Sequence, residues 1–306
     1  MTRILMTGGT GMVGMNLALR LASEGDTVFY FCRPSADPRK TALLRKTGEI
    51  LSGDIIDAST VKAAVDTASP DIVFHLASTA FNTAHTAQEH FQVIALGTLH
   101  LLEALRGSSV QRLVVTGSIA EYGSGSLIRE DHPLLPATFL GAAKANASLL
   151  VQTFARLHAL PSVILRLCMP YGPWENSKRL IPHTILSALG GRDISMTEGN
   201  QQRDFVYIED VVRALLLAAR QNVPAGSVFN IGSGDGIPVR DVVTRILEIM
   251  GHPVKASMGA VPTRPDEIMK MSADNSRARS QLGWKPAVSL DEGLRLSLAW
   301  FSKEYA

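Results

Sequence analysis

A short apolar run, Ile4-Leu5-Met6, ends in Thr7-Gly8-Gly9-Thr10-Gly11-Met12-Val13-Gly14 and passes straight into a stretch with apolar residues at helical spacing. No other feature of the chain narrows its fold as much. Glycines at 8, 11 and 14 give G-x-x-G-x-x-G between a strand and a helix. Glycine allows the tight turn, lets the backbone approach a pyrophosphate, and lets the helix pack on the strand. The helix that opens there supplies unpaired backbone N–H groups and a partial positive charge. The arrangement predicts a dinucleotide-binding unit in which Gly8, Thr10, Gly11, Met12, Val13 and Gly14 hold the phosphates.

The same alternation continues downstream. Helical spacing over 12–24 is followed by a strand over Thr27–Cys32, a helix over 58–65, a strand over 71–76 and a strong helix over 91–105. A strand over 112–116, a helix over 142–158 and a strand over 162–167 complete the series. Strands alternating with helices at this spacing predict an α/β fold with a doubly wound parallel sheet. Near residue 168 the rhythm breaks at Pro170, Gly172, Pro173 and Pro182, and only helices near 210–220, 239–250 and 290–301 stand out. A chain of 306 residues is about two domains long. The expected organisation is a Rossmann domain over 1–168, with return segments near 204–232, and a mainly substrate-binding domain over 169–306. No linker separates the two.

Composition excludes several function classes. Hydrophobic residues make up 46% and charged residues 19%, which rules out intrinsic disorder. Thirty basic residues against 28 acidic ones, with no like-charge run, argue against nucleic acid as a partner. Two cysteines, Cys32 and Cys168, cannot build a disulfide scaffold or a multi-cysteine zinc site, and they suit a reducing cytoplasm. The eight histidines show no metal-binding spacing. No apolar stretch reaches the about 18 residues of a membrane helix, and the amino end lacks a signal-peptide pattern. No metal and no membrane partner are expected.

The end of the second strand bears on cofactor choice. An acidic residue there accepts bonds from an NAD ribose, but the chain has Cys32 followed by Arg33. A neutral residue beside a guanidinium suits the extra phosphate of NADP, so NADP is expected ahead of NAD. Asp54, in Gly53-Asp54-Ile55, either accepts from the adenine amino group or caps the helix that starts at Ala58.

Several further motifs fall in register with these: Phe74-His75-Leu76-Ala77-Ser78, Leu96-Gly97-Thr98, Thr116-Gly117-Ser118-Ile119-Ala120-Glu121-Tyr122-Gly123 and Tyr171-Gly172-Pro173. Arg203-Asp204-Phe205-Val206-Tyr207, Asn230-Ile231-Gly232-Ser233-Gly234 and Arg264-Pro265-Asp266 follow. On these residues the whole chain resembles the extended short-chain dehydrogenase/reductase family, in its nucleotide-sugar epimerase/dehydratase/reductase branch. The resemblance implies further cofactor contacts from Ile55, Leu76, Ala77 and Leu167. It also implies a serine, a tyrosine and a lysine as the catalytic set, the last two spaced Y-x-x-x-K. Ser118 and Lys144 match; Lys144 would also hold the nicotinamide ribose, and Ser118 would touch substrate. Leu140 stands where the tyrosine belongs. An aliphatic side chain has no proton to trade, so the proton relay is atypical.

Ile94 and Met169 likewise replace asparagines frequent in the family, which suggests a greasier pocket around Leu140. Glu121 and Tyr122 are the nearest substitute proton donors. The dehydratase acid–base positions, however, hold Ile119 and Ala120, and Tyr122 reads as a packing residue. Arg203 and Arg264 match family positions that meet a nucleotide diphosphate, which forked guanidinium groups grip well. The alternative for each is an ion pair with Asp204 or Asp266. The implied partner is a nucleotide-diphosphate sugar, and the family's helices often form a homodimer.

Three functions remain open. The first is an NAD(P)-dependent nucleotide-sugar oxidoreductase, epimerase or dehydratase. The second is a reductase of a smaller alcohol or ketone. The third is a catalytically silent dinucleotide-binding sensor or scaffold.

Overall fold

A computed structural model describes residues 1–79, 85–264 and 267–305. Seven parallel strands form the central sheet: β1 (Arg3–Thr7), β2 (Thr27–Cys32), β3 (Glu49–Ser52), β4 (Ile72–His75), β5 (Arg112–Ser118), β6 (Ser162–Leu167) and β7 (Ser227–Ile231). Their order is β7-β6-β5-β4-β1-β2-β3. β1 pairs with β2 on one side, Ile4 beside Val28, and with β4 on the other, Ile4 beside Ile72. The winding therefore reverses between β1 and β4, and a crevice opens beyond their carboxyl ends.

The strands read as unbroken apolar runs because helices bury both faces. Along β1, Ile4 and Met6 face one core and Leu5 faces the other. Along β2, Val28 and Tyr30 face the first core, Phe29 and Phe31 the second. Helices α1 (Met12–Leu21) and, later, α8 (Ile208–Arg220) close the first face. α1 does so with Met15, Leu17, Ala18 and Leu21. α8 buries Ile208, Val211, Val212, Leu215 and Ala218. The second face is covered by α3 (Ala58–Ala68) and α5 (Gly97–Leu105), with Val61 and Val65 meeting Leu101 and Leu105. Each such fully buried Val, Leu, Ile or Met side chain stabilises the fold by about 1.5–3 kcal/mol before conformational entropy is counted.

Several elements differ from the sequence expectation. α2 (Pro38–Leu44) starts with Pro38 behind an Asp37 cap, whose carboxylate accepts from the Arg39 N–H. The helix expected over 91–105 begins earlier, as α4 (Ala87–His90), and Phe91–Leu96 forms a wide π-type turn before α5. Gly97 sits where a Cβ would lie 2.8 Å from the Ile55 side chain, so glycine permits this close passage. α6 (Phe139–His158) starts three residues before the expected 142, because Thr138 caps the Gly141 N–H at 3.0 Å.

α7 (Leu180–Leu189) contains Pro182, although proline there signals a break in the sequence. Within the first turn a proline removes only an N–H that has no helical partner. α9 (Val239–Ile249) packs on α7 through Ala188, Val243 and Leu247, and α10 (Leu290–Glu304) packs on α7 as well. β7 returns from this region to the sheet edge beside β6. Ile181, Val242, Trp284, Leu294 and Phe301 join the same apolar cluster as Ile4 and Met6, so the two halves share one core.

Candidate active site

The glycine-rich turn brings three backbones into contact. Gly8 has φ +73°, and a Cβ on it would lie 2.6 Å from the Ala77 nitrogen. A Cβ on Gly14 would lie 2.4 Å from the Gly8 carbonyl oxygen. Only glycine lets β1, the exit of β4 and the start of α1 meet this closely. The first turn of α1 has no side-chain cap and no acidic residue, which leaves the N–H groups of Met12 and Val13 available to an anion.

A cavity of about 830 Å³ opens over this turn, at the switch point of the sheet. Gly8, Thr10, Gly11, Met12, Val13, Gly14, Arg33, Asp54, Ile55, Leu76 and Ala77 all line it. Its size falls within the about 300–1,000 Å³ of small-molecule sites. The uncapped helix, the glycine-rich turn and the cavity volume together fit a dinucleotide. Asp54 is not the helix cap: Asp57 performs that role, accepting from Ser59 and Thr60. Sequence reading missed other lining groups, including Lys40, Trp174, Glu175, Arg179, Trp300 and Glu304. Asp37-Pro38, a helix-start signal ahead of Arg39 and Lys40, could have pointed to the first of them. The rest arrive from distant sequence.

Ser118, Lys144 and Leu167 do not line that cavity; they lie around the ends of β5 and β6. Ser118 terminates β5, and its hydroxyl accepts from the Ala120 N–H at 3.1 Å. Lys144 is buried, with Nζ donating to the Thr116 carbonyl at 2.7 Å. Burial lowers its pKa to about 8, against the opposing pull of Glu121. His75 lies in the core, as its apolar strand suggests. Its ring bridges Thr7 Oγ1 at 2.7 Å and Thr98 Oγ1 at 2.9 Å. Burial, and then the charge of Lys144, pushes it down to about 3, so the imidazole is neutral at pH 7.

Glu121 and Tyr122 are not free proton donors. Glu121 is fully buried and accepts from the Ser118 N–H at 2.8 Å and from Arg166 Nε at 2.7 Å. Arg166 also donates to the Tyr122 hydroxyl at 2.7 Å, which donates in turn to Asn230 at 2.8 Å. Burial pushes the Tyr122 phenol up to about 12. These groups brace the floor beneath Ser118.

Leu140 packs with Ile94, Phe91, Ala143 and Ala147 in a small apolar cluster. Two of the three apolar replacements seen in the sequence are therefore neighbours. Met169 is not part of this cluster and packs on the main core instead.

Arg203 and Arg264 converge, and on a residue the sequence reading did not name. Arg203 is ion-paired with Glu267 and also donates to the Ile268 carbonyl at 2.6 Å. Arg264 Nη2 reaches the same carboxylate at 2.8 Å. Asp204 is not the partner of Arg203. It is buried and accepts from the N–H groups of Ser233, at 2.6 Å, and Ala273, at 3.2 Å. Asp266, the other expected partner, lies with Pro265 outside the described residues.

Comparison with known proteins decides the family. A family model described as "NAD dependent epimerase/dehydratase family" matches residues 4–232. The chain belongs to this family. It is 28% identical to the UDP-glucose 4-epimerase of Corynebacterium glutamicum, over 93% of this chain and 91% of that protein. The structure of a UDP-glucose 4-epimerase with UDP-glucose from Thermotoga maritima superposes with a TM-score of 0.92 at 28% identity, covering 99% of both chains. A structure of MoeE5 in complex with UDP-glucuronic acid and NAD gives a TM-score of 0.87 at 29% identity, over 98% of this chain and 99% of that one. The epimerase/dehydratase family match spans the glycine-rich turn, Ser118, Lys144 and Arg203, and it ends before Arg264 and Glu267. Among the described residues no group of three or more His, Cys, Asp and Glu side chains is placed to hold a metal, and no helix is long and apolar enough to cross a membrane.

Proposed function

We propose that this chain is an NAD(P)-dependent enzyme acting on a nucleotide-diphosphate sugar, of the epimerase, dehydratase or oxidoreductase type. The observation that carries the reading is the cavity of about 830 Å³ over the glycine-rich turn and an uncapped helix. Residues 1–168, with the return segment near 204–232, form its cofactor half; 169–306 are mainly its substrate half. The bound dinucleotide would supply a hydride acceptor and donor at the sugar carbon. Met12 and Val13 N–H groups would hold its pyrophosphate and Asp54 and Ile55 would flank its adenine within this cavity, while Lys144 and Leu167, outside the cavity lining, would bound its nicotinamide half. Ser118 orients the sugar oxygen. With Leu140 unable to trade a proton, the proton role falls to another titratable group of this corner, and Lys144, whose Nζ meets the Thr116 carbonyl and whose pKa is lowered to about 8, is the one closest in acidity to that task.

Arg203 and Arg264 take the substrate diphosphate, with Glu267 holding their charges in its place beforehand. NADP is the preferred dinucleotide. β2 ends at Cys32, whose thiol is pushed up to about 11 by burial and so stays neutral, next to Arg33 on the cavity wall. Arg33→Asp is expected to reverse the preference; an unchanged preference for NADP overturns this assignment. The two cysteines are buried and unpaired, which suits the cytoplasm. Leu149 and Leu157, 52% and 72% exposed on α6, suit a homodimer face. Leu149→Asp shifting sedimentation from dimer to monomer is the outcome expected there.

The packed Leu140 cluster favours one other reading, a dinucleotide-binding sensor without turnover. Calorimetry with UDP, dTDP, GDP and CDP, followed by nucleotide-sugars added to dinucleotide-loaded protein, separates the two. Tight binding of one nucleotide and a transient reduced-nicotinamide fluorescence support the enzyme. Binding of no nucleotide diphosphate removes it.

A further inference from the structure

The two halves of the chain are tied together by contacts among residues that line the cavity. One side is the first turn of α2, with Arg39 and Lys40. The other carries Trp174, just after the Met169–Tyr171 strand, and Trp300 and Glu304 of α10. All five side chains line the cavity that contains Gly8–Gly14. Arg39 is ion-paired with Glu304 and holds its guanidinium over the Trp174 ring, 5.8 Å from the centroid. The Lys40 ammonium lies 6.0 Å from the same ring and donates to the Thr10 carbonyl at 3.1 Å. Trp174 leans on Trp300 with ring centroids 5.3 Å apart. Its backbone is held at φ 66°, a region a bulky residue rarely enters without support. Asn16 of α1 supports the approach by donating to the Pro173 carbonyl at 3.0 Å.

Charge–ring stacking and an ion pair thus join α2 to Trp174 and α10 among the residues that line the cavity with the glycine-rich turn. We propose that this clasp is the exchange gate of the cofactor site. A dinucleotide enters and leaves only when Arg39 parts from Glu304 and the Trp174 stack opens. The inference rests on reading the cavity as a dinucleotide site. Each contact is individually weak, so the gate opens thermally. Its ion pair is half-exposed, so salt loosens it.

Stopped-flow measurement on the whole chain tests this. Tryptophan-to-nicotinamide energy transfer reports NADH or NADPH binding, and excess oxidised dinucleotide reports release. Arg39→Ala removes the ion pair and one stacking contact and is expected to speed release about tenfold. Glu304→Gln is expected to speed it about threefold and to reduce the salt dependence of release. Both variants are expected to speed association as well, which the loss of an ordinary binding contact does not do. Unchanged rates in both variants overturn the gate. So does faster release with unchanged association, which makes Arg39 a simple contact. Wild-type protein that shows energy transfer with neither dinucleotide overturns the cofactor reading itself, a result distinct from gate failure.

Discussion

Lys144 carries its charge to a place that water does not reach, and the cost is visible in its acidity. Lowering a lysine from near 10.5 to about 8 corresponds to about 3 kcal/mol held against the charged form. Below pH 8 the ammonium is charged in both folded and unfolded chains, so the folded state bears the full penalty. Between pH 8 and about 10.5 the folded chain binds fewer protons than the unfolded one, so stability rises with pH across that window. Lys144→Met is expected to raise Tm at pH 7, to abolish that alkaline rise, and to weaken dinucleotide binding. Thermal melts against pH and a dinucleotide titration check all three. A melt that still strengthens between pH 8 and 10 assigns the effect elsewhere. Glu267 offers a second test at this scale. Its carboxylate sits in the grip of Arg203 and Arg264, so Glu267→Gln leaves more of their positive charge for a diphosphate. UDP binding is expected to tighten about tenfold by calorimetry, in line with a charge-assisted bond gained. Weaker binding would instead make Glu267 the group that holds the two arginines in place. The sequence exposed both arginines through their motifs, but not their shared partner. Glu267 is only three residues from Arg264, yet 64 from Arg203, and only folding joins the three.

At the scale of elements, the glycine-rich turn was the most legible part of the chain. Its spacing encodes contacts between neighbours in sequence, and Gly8, Thr10, Gly11, Met12, Val13 and Gly14 all line one cavity. Gly14→Ala tests that lining directly. The added methyl would lie 2.4 Å from one backbone oxygen and 2.6 Å from the Gly9 Cα, with no flexible side chain to yield. Loss of dinucleotide binding and a destabilisation of about 3 kcal/mol in urea are expected. Retained affinity would detach the turn from cofactor binding. The apolar runs of β2 and β6 coincide with the strands' observed bounds, since strands buried on both faces are unbroken apolar runs. Phe91–Leu105 was read as one helix because helical spacing cannot reveal a π-type turn. α7 was missed because Pro182 signals a break without saying where in the helix it falls. Thr138, the cap of α6, was a readable signal that the apolar pattern alone overlooked.

At the scale of the molecule, Arg166 joins parts of the chain that the sequence keeps far apart. It lies on β6, pairs with Glu121 just after β5, and through Tyr122 reaches Asn230 on β7. Both charges are almost wholly buried, at 3% and 0% exposure. Removing one member of such a pair leaves the other uncompensated. Arg166→Met is therefore expected to cost about 3–5 kcal/mol in equilibrium urea unfolding, and a near-neutral effect would show Glu121 resting there protonated. Sequence reading placed Glu121 and Tyr122 among the candidate proton donors, because it locates residues along the chain and not what faces them. Local sequence by itself determined the strand–helix alternation, the glycine-rich turn and the absence of a hydroxyl at Leu140, because each depends on residues close enough to act on one another before the chain is folded. Only the tertiary structure decided that Glu121 braces the floor, that Arg203 and Arg264 share one carboxylate, and that α10 closes over a turn formed by the first residues. Those outcomes depend on which distant side chains the common core brings within hydrogen-bond reach.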